Sequence, residues 1–431
     1  MSEETRQIKY LALEGGGGKG NAYLGAIKAL EEASILTFEN NQLKGIQGIS
    51  GASAGAITAL LLGSGYSFDE IKTELQRTDF DNFLDGPDTD IITAGKLYDT
   101  DTRRIRTEWE RQRGEGAIEL SKKLYKLIKS GKLDSLSEID YDLLFDCLVD
   151  IALALIMNEV IVNEGEMSPH LKKLVARLKS NFMKFTTSLK LYYGLFTGRE
   201  IHRWFHRKIL EKIRLVKNIP PGFSMEGERL LVTFQEHQEI FNTALKFTSV
   251  NIETGNVHVF SNDTTPRFPV ATAARMSMSL PGIYKPVHIS ESYAKEIGLD
   301  PPGIWAGFWV DGGLFNNAPI KLWESDEAVL LRLGDRKLPK FSSDHSLFDF
   351  LSRWIIDLGV FGSGSGQVTE STFKNYNSHI IELDIAGLDL LKFNLDQQEL
   401  LEVIDRNYNV TKSHIESHFK VYKFPPSEMQ E

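Results

Sequence analysis

Apolar and polar positions along this chain follow two periods, and its most informative residues stand where one period gives way to the other. Ile8 to Leu13, IKYLAL, is a short apolar run ending at a glycine cluster, which predicts a buried strand. Beyond the cluster Ala22, Tyr23, Ala26, Ile27 and Leu30 recur at helical spacing. The order then repeats: GIQGIS, from about Lys44 to Ser50, reads as a strand, GASAG as a turn, and AITALLL as a helix that stops at Gly63. Two such units in succession predict a parallel sheet with helices on its faces. Strand patterns resume at LLVTFQEH (Leu230 to His237), ALKFTSVNIETGNVHVFSN, GFWVDGG and EAVLLRLG (Glu327 to Gly334), enough to complete the sheet.

Between about Asp85 and Lys190 the pattern becomes helical without clear strands. The longest apolar run, Leu143 to Val162, is interrupted by Asp146, Asp150, Asn158 and Glu159, so it reads as a buried helix rather than a membrane span. Near the end, SLFDFLSRWIIDLGVF and LDQQELLEVIDRNYNVTKSHIESHF read as helices joined through a GSGSG loop. The fold class expected is α/β, with a central mostly parallel sheet flanked by helices and a helical insertion. The expected organisation is an α/β unit over residues 6–335, interrupted at about 86–190, and a helical extension over 336–431 packed on it.

Composition narrows the function. The 431 residues carry 42% hydrophobic and 25% charged side chains, the range of globular proteins, with a net charge of -10. That acidity argues against nucleic acid as a partner, because neutralising phosphates takes a surplus of Lys and Arg. The start, MSEETRQIKY, has no basic flank before an apolar core. The single cysteine, Cys147, has no internal partner and reads as a small core hydrophobe. A cytoplasmic location is therefore expected, with peripheral membrane contact and signal-independent export left open.

The glycine loop, EGGGGKG, admits several readings. Gly15, Gly17 and Gly20 satisfy the dinucleotide pattern G-x-G-x-x-G, with Glu39 near the place of a ribose-binding acid; added NAD giving a thermal shift would support that reading. A Walker A loop fails, because Leu13 stands where it needs glycine and Gly20 where it needs Ser or Thr. So many glycines imply a close backbone approach to something. Gly16, Gly17 and Gly18 can turn consecutive amides toward one point, backed by the positive end of the next helix, with Lys19 adding charge or anchoring the loop.

A second motif favours one of these readings. Gly51-Ala52-Ser53-Ala54-Gly55 is a G-x-S-x-G on a strand-to-helix turn, whose sharp bend requires small residues two before and two after the serine. In a sheet of this kind both loops leave the carboxyl ends of their strands, so the loop amides can face the Ser53 hydroxyl and hold an oxyanion. A serine needs a base, and none of the ten histidines follows a strand in a clear motif. His202/His206 and His414/His418 lie four apart on expected helices, spacing that suits packed or exposed helical side chains better than a metal site lacking a third ligand. Asp311 ends the strand GFWV and turns at once through Gly312 and Gly313; an ordinary Asp-Gly turn is the competing reading.

Taken together, Gly15 to Gly20, Gly51 to Gly55 and Asp311 to Gly313 resemble, in order, the G-G-G-x-[RK]-G, G-x-S-x-G and D-G-[AG] blocks of the patatin-like phospholipases. GLFTGREI, VNIETGNVHVFS and ATAARMSMSLPGIYKPV are also similar to segments of that family. The resemblance covers roughly Lys9 to Asp85 and Lys190 to Asp335. It implies a three-layer α/β fold and a Ser-Asp dyad with Ser53 as nucleophile, Asp311 as base and the Gly16 to Gly18 amides as oxyanion hole, with no metal or cofactor. It implies a phospholipase A or lysophospholipase acting on a phospholipid or other lipid ester through an acyl-serine. An acyltransferase to an alcohol or thiol, and a lipid-binding module without catalysis, are the alternatives. SKKLYKLIKSGKL and LKKLVARLKSNFMKFTTSLK carry basic residues and no acid. They read either as helices packed on the core with solvated lysines or as a lid that meets anionic headgroups. Oligomeric state is not legible.

Overall fold

In the computed structural model the described residues are 7–86, 92–94, 188, 193–220, 231–314, 316–324, 326–333, 379–388 and 393–425. The apolar run at 143–162 with Cys147, the two basic segments (Ser188 apart), and the expected helix at 346–361 with its GSGSG loop lie outside them.

In chain order the strands are β1 (Tyr10–Leu13), β2 (Thr37–Glu39), β3 (Gln42–Lys44), β4 (Gly48–Gly51), β5 (Ile92–Thr93), β6 (Gly194–Phe196) and β7 (Ala244–Asn251). There follow β8 (Asn256–Ser261), β9 (Gly282–Tyr284), β10 (Val287–Ile289), β11 (Gly307–Asp311), β12 (Ala328–Arg332) and β13 (Ile380–Glu382). The α-helices are α1 (Tyr23–Glu32), α2 (Ala54–Gly63), α3 (Phe68–Arg77), α4 (Arg199–Val216), α5 (Phe234–Phe241), α6 (Val270–Ser277), α7 (Glu291–Glu296), α8 (Pro302–Trp305) and α9 (Gln397–His418).

Helices flank a mostly parallel mixed sheet, as the pattern predicts. β1 lies between β12 and β4, β13 extends the β12 side and β7 the β4 side, all in parallel. These strands read as apolar runs because both faces are covered; Leu11, Ala12 and Leu13 are fully buried. On the far side, β11 pairs antiparallel with β7 and with β10, and β10 carries β5 in parallel. α2 is buried along its whole length, which accounts for its unbroken apolar sequence.

The crossing at β7 positions the site. β8 occupies one edge of β7 along Lys246 to Asn251. β4 pairs with Ala244 to Phe247 and β11 with Ser249 to Asn251, so these two strands share the other edge in tandem. β4 runs up to Gly51 opposite Phe247, and β11 runs down to Asp311 opposite Ser249. The two strand ends meet head-on with Thr248 between them. A Cβ on Gly312 would lie 2.1 Å from the Thr248 carbonyl oxygen, so the chain leaving β11 needs glycine there.

The structure corrects several expectations. The described residues of LLVTFQEH form no strand: Thr233 and Glu236 make a reciprocal capping box that opens α5, and Thr233 forms an isolated bridge to Pro269. The strand expected from Lys44 begins at Gly48, because Gln42–Lys44 turns back on Thr37–Glu39 in a separate hairpin. Glu39 is exposed at the end of β2, in a hairpin outside the main sheet. The C-terminal segment is not wholly helical, since β13 joins the sheet.

α9 packs along α1, burying Leu400, Val403, Ile404, Asn407, Thr411 and Ile415. Gly25 makes this approach possible: a Cβ there would sit 2.3 Å from the Ile404 carbonyl oxygen and 2.7 Å from the Asn407 Cβ. Alanine is the better helix former by about 1 kcal/mol. Gly25→Ala is nevertheless expected to destabilise the protein by about 1–3 kcal/mol through overpacking. Urea denaturation checks the sign, and a gain in stability would show that α9 is not seated on α1.

Candidate active site

Each of the three sequence blocks becomes a turn at one end of the sheet. After β1 the chain passes through Glu14, Gly15 and Gly16 into a 3-10 helix, Gly17–Ala22, that runs on into α1. Gly17 has φ of 56°, a left-handed conformation that glycine adopts without strain. At a helix start the first amides have no intrahelical acceptor. Among the described residues the Gly16, Gly17 and Gly18 amides donate to no other backbone group. They are the candidate donors to an anion.

Ser53 sits between β4 and α2 with φ 50° and ψ -121°, a strained conformation for a residue with a side chain. A Cβ on Gly51 would meet the Gly55 carbonyl oxygen at 2.4 Å, and one on Gly55 the Leu13 carbonyl oxygen at 2.2 Å. The flanking small residues are therefore a packing requirement of the bend. The Ser53 amide donates to the backbone oxygen of Ser277 at 3.1 Å and to its Oγ at 3.2 Å, which ties the bend to the end of α6. The glycine loop presses on the same turn, since a Cβ on Gly20 would lie 3.1 Å from that of Ala54.

Asp311 is fully buried. Its Oδ1 accepts the Gly313 amide at 2.7 Å, and its own amide donates to the Ser279 carbonyl at 3.0 Å. Burial pushes its carboxyl up to about 7, and the Gly313 amide and then the Ser53 hydroxyl pull it partly back. Oδ2 has no partner at ordinary hydrogen-bond geometry among the described residues. The serine and the carboxylate are thus adjacent but not locked together, as catalytic pairs often are before substrate binds. Ser53, Asp311, Gly312, Gly313 and the loop from Gly15 to Gly20 all converge here.

The two histidine pairs do not. His202 is buried on α4, its Nε2 3.1 Å from Thr272 Oγ1, and burial pushes it down to about 3. His206 lies on the same helix, also lowered by burial. His414 and His418 stack on one another along α9. No group of three or more His, Cys, Asp or Glu among the described residues is placed to hold a metal.

Three supporting residues escaped sequence reasoning. Arg275, fully buried on α6, donates to the carbonyls of Thr197, Gly198 and Lys285 and to Ser279 Oγ, and so supports the Ser279 turn that holds the Asp311 amide. Asp85 accepts hydrogen bonds from Thr197 Oγ1 and from the amides of Gly198, Arg199 and Glu200, capping α4. Asn317 contacts the glycine loop. Arg275 stands inside the quoted ATAARMSMSLPG segment, the only hint available for any of the three.

A family model described as patatin-like phospholipase matches residues 11–322. An uncharacterised protein of Acanthamoeba polyphaga mimivirus is 42% identical over 78 residues, which is 18% of this chain and 24% of the viral one. The chain thus spans about a quarter of that relative's length. Among solved structures, VipD from Legionella pneumophila aligns with a TM-score of 0.45 at 18% identity, covering 96% of this chain and 67% of VipD. The type III effector ExoU of Pseudomonas aeruginosa aligns with a TM-score of 0.41 at 15% identity, covering 97% of this chain and 56% of ExoU.

The buried carboxyl has a measurable cost. With its pKa raised from 3.8 to about 7, the folded protein keeps a proton that the unfolded chain releases between those values. Stability therefore falls as pH rises through that window and stays lowered above it. Asp311→Asn is expected to match wild type near pH 4 and to exceed its stability at pH 8 by on the order of 2–4 kcal/mol. Urea denaturation at both pH values tests this.

Proposed function

The chain belongs to the patatin-like phospholipase family, and from that membership we propose that it is a serine lipid acyl hydrolase that cleaves fatty-acyl esters of membrane phospholipids. The observation that carries the reading is a buried carboxylate, raised to about 7, beside a serine on a strained bend.

Asp311 takes the Ser53 proton as Oγ attacks the ester carbonyl. The tetrahedral oxyanion forms against the Gly16 to Gly18 amides, backbone dipoles at a helix start that stabilise charge as it appears. Collapse expels the lysolipid alcohol, which recovers the proton from Asp311, and leaves the acyl chain on Ser53. Water, activated by the same carboxylate, then releases the fatty acid. A carboxylate is ordinarily too weak a base for a serine. Burial is what makes this one serve, because a desolvated carboxylate gains more by taking up a proton.

Catalysis requires ionised Asp311, so kcat/KM is expected to be level above about pH 7 and to fall about tenfold per pH unit below it. Mass spectrometry of fatty acid and lysolipid released from mixed phospholipid vesicles tests the assignment. Wild type is expected to release both, and Ser53→Ala and Asp311→Asn neither. Equal release by all three proteins would overturn the dyad. Transfer of the acyl group to an added alcohol in preference to water would reassign the protein as an acyltransferase.

A further inference from the structure

Asn317 belongs to the loop that follows Asp311 and is 1% exposed, yet its polar contacts all reach back to the glycine loop. Its carbonyl oxygen accepts the Gly15 amide at 3.0 Å, and its side-chain Nδ2 donates to the Gly15 carbonyl, also at 3.0 Å. One residue thus holds both faces of the Gly15 peptide framework immediately before the amides of Gly16 to Gly18. Nδ2 also donates to Glu14 Oε1 at 3.3 Å, and Glu14 Oε2 accepts the Leu333 amide at 2.8 Å, which ties the clamp to the end of β12.

The orientation of this amide is forced. Both groups around Nδ2 are acceptors, so the nitrogen must face them, and Oδ1 is left buried without a hydrogen-bond partner among the described residues. An amide that served only to fill space would be replaced without loss by an apolar side chain of the same size. Oδ1 also lies against the nucleophile's turn: a Cβ built on Gly15 would be 2.3 Å from Oδ1 and 3.0 Å from Ser53 Cβ. The glycine loop, the serine turn and the loop carrying the aspartate therefore meet at Asn317.

We propose that Asn317 is a positioning residue for the oxyanion loop: by gripping Gly15 through backbone and side chain it holds the Gly16 to Gly18 amides in register with Ser53. The inference rests on the serine-hydrolase reading above. A positioning residue of this kind changes transition-state stabilisation and leaves ground-state binding alone.

Asn317→Asp is the informative variant, because it keeps the shape and exchanges the donor for an acceptor facing the Gly15 carbonyl and the Glu14 carboxylate. Asn317→Ala removes the amide altogether. Rates are normalised to the folded fraction measured by circular dichroism. Both variants are expected to lose about 100-fold to 1000-fold in kcat with KM nearly unchanged, the loss typical of a missing oxyanion donor. Affinity for an acyl trifluoromethyl ketone, which forms a tetrahedral adduct with serine, is expected to fall by the same factor, while affinity for the product fatty acid holds. The Asn317→Asp rate relative to wild type is expected to rise as pH falls from 8 to 6, because a protonated carboxyl donates again to Gly15. Unchanged kcat per folded molecule, a loss confined to KM, or equal weakening of ketone and fatty acid would each overturn the inference. Labelling of Ser53 by a fluorophosphonate separates the two readings where vesicles are poor substrates. Wild type labelled much faster than the variants supports the clamp, and equal labelling overturns it alone. A wild type neither labelled nor active overturns the hydrolase reading and the clamp with it.

Discussion

Two strands running in opposite directions share one edge of β7, and the short gap between their ends is where the chemistry gathers. β8 covers the other edge, so β4 and β11 approach one another along a single line, with Gly51 opposite Phe247 and Asp311 opposite Ser249. Each chain must turn out of the sheet at the gap, and each does so through residues with little or no side chain, because β7 and the neighbouring turn leave no room for more. Sheet register brings the serine and the carboxylate together, and their amide hydrogen bonds to Ser277 and Ser279 fix the two turns. Residues far apart in sequence thereby acquire a separation that no flexible loop has to maintain.

The electrostatics follow from the same enclosure. Asp311 has no basic side chain among its hydrogen-bond partners and owes its basicity to burial. In the proposed reaction charge develops against the Gly16 to Gly18 amides at a helix start. The guanidinium of Arg275, itself lowered to about 10 by burial, spends its hydrogen bonds on three carbonyls and a hydroxyl. It braces the turn beneath Asp311. The stability that a buried ionised carboxylate forgoes is regained in the surrounding core, where β1, α1, α2 and β12 pack almost without exposed surface.

Much of this was legible from residue order. β1, β4, β7, β8, β11 and β12 lie within apolar runs broken by glycine, and α2 and α9 within helical patterns, because local spacing and burial agree there. LLVTFQEH was misread since a capping box, a matter of two side chains and two amides, outweighs four residues of β-prone composition. The hairpin at Thr37–Lys44 and the strand Ile380–Glu382 are too short to announce themselves. Gly51, Gly55, Gly312 and the loop glycines were readable because their backbone geometry demands glycine, and they frame the turns that carry Ser53 and Asp311. Asn317, Asp85 and Arg275 were not, since each acts across a long sequence separation through bonds that any polar residue suggests equally well. An Asn in a loop carries no such constraint on its face.

The carboxylate of Asp85 joins two points 112 residues apart at Thr197, and Ala94 and Gly194 are held by pairing to β10 and β9. The chain between therefore departs from and returns to anchored stations on the scaffold. Closing such an excursion costs an entropy that grows only with the logarithm of its length, about 0.6 kcal/mol for each doubling. Segments of very different size can be exchanged at this point while the serine, the aspartate and the glycine loop stay where the sheet puts them. The architecture is a chassis whose mounting points at Asp85 and Thr197 are fixed independently of what is carried between them.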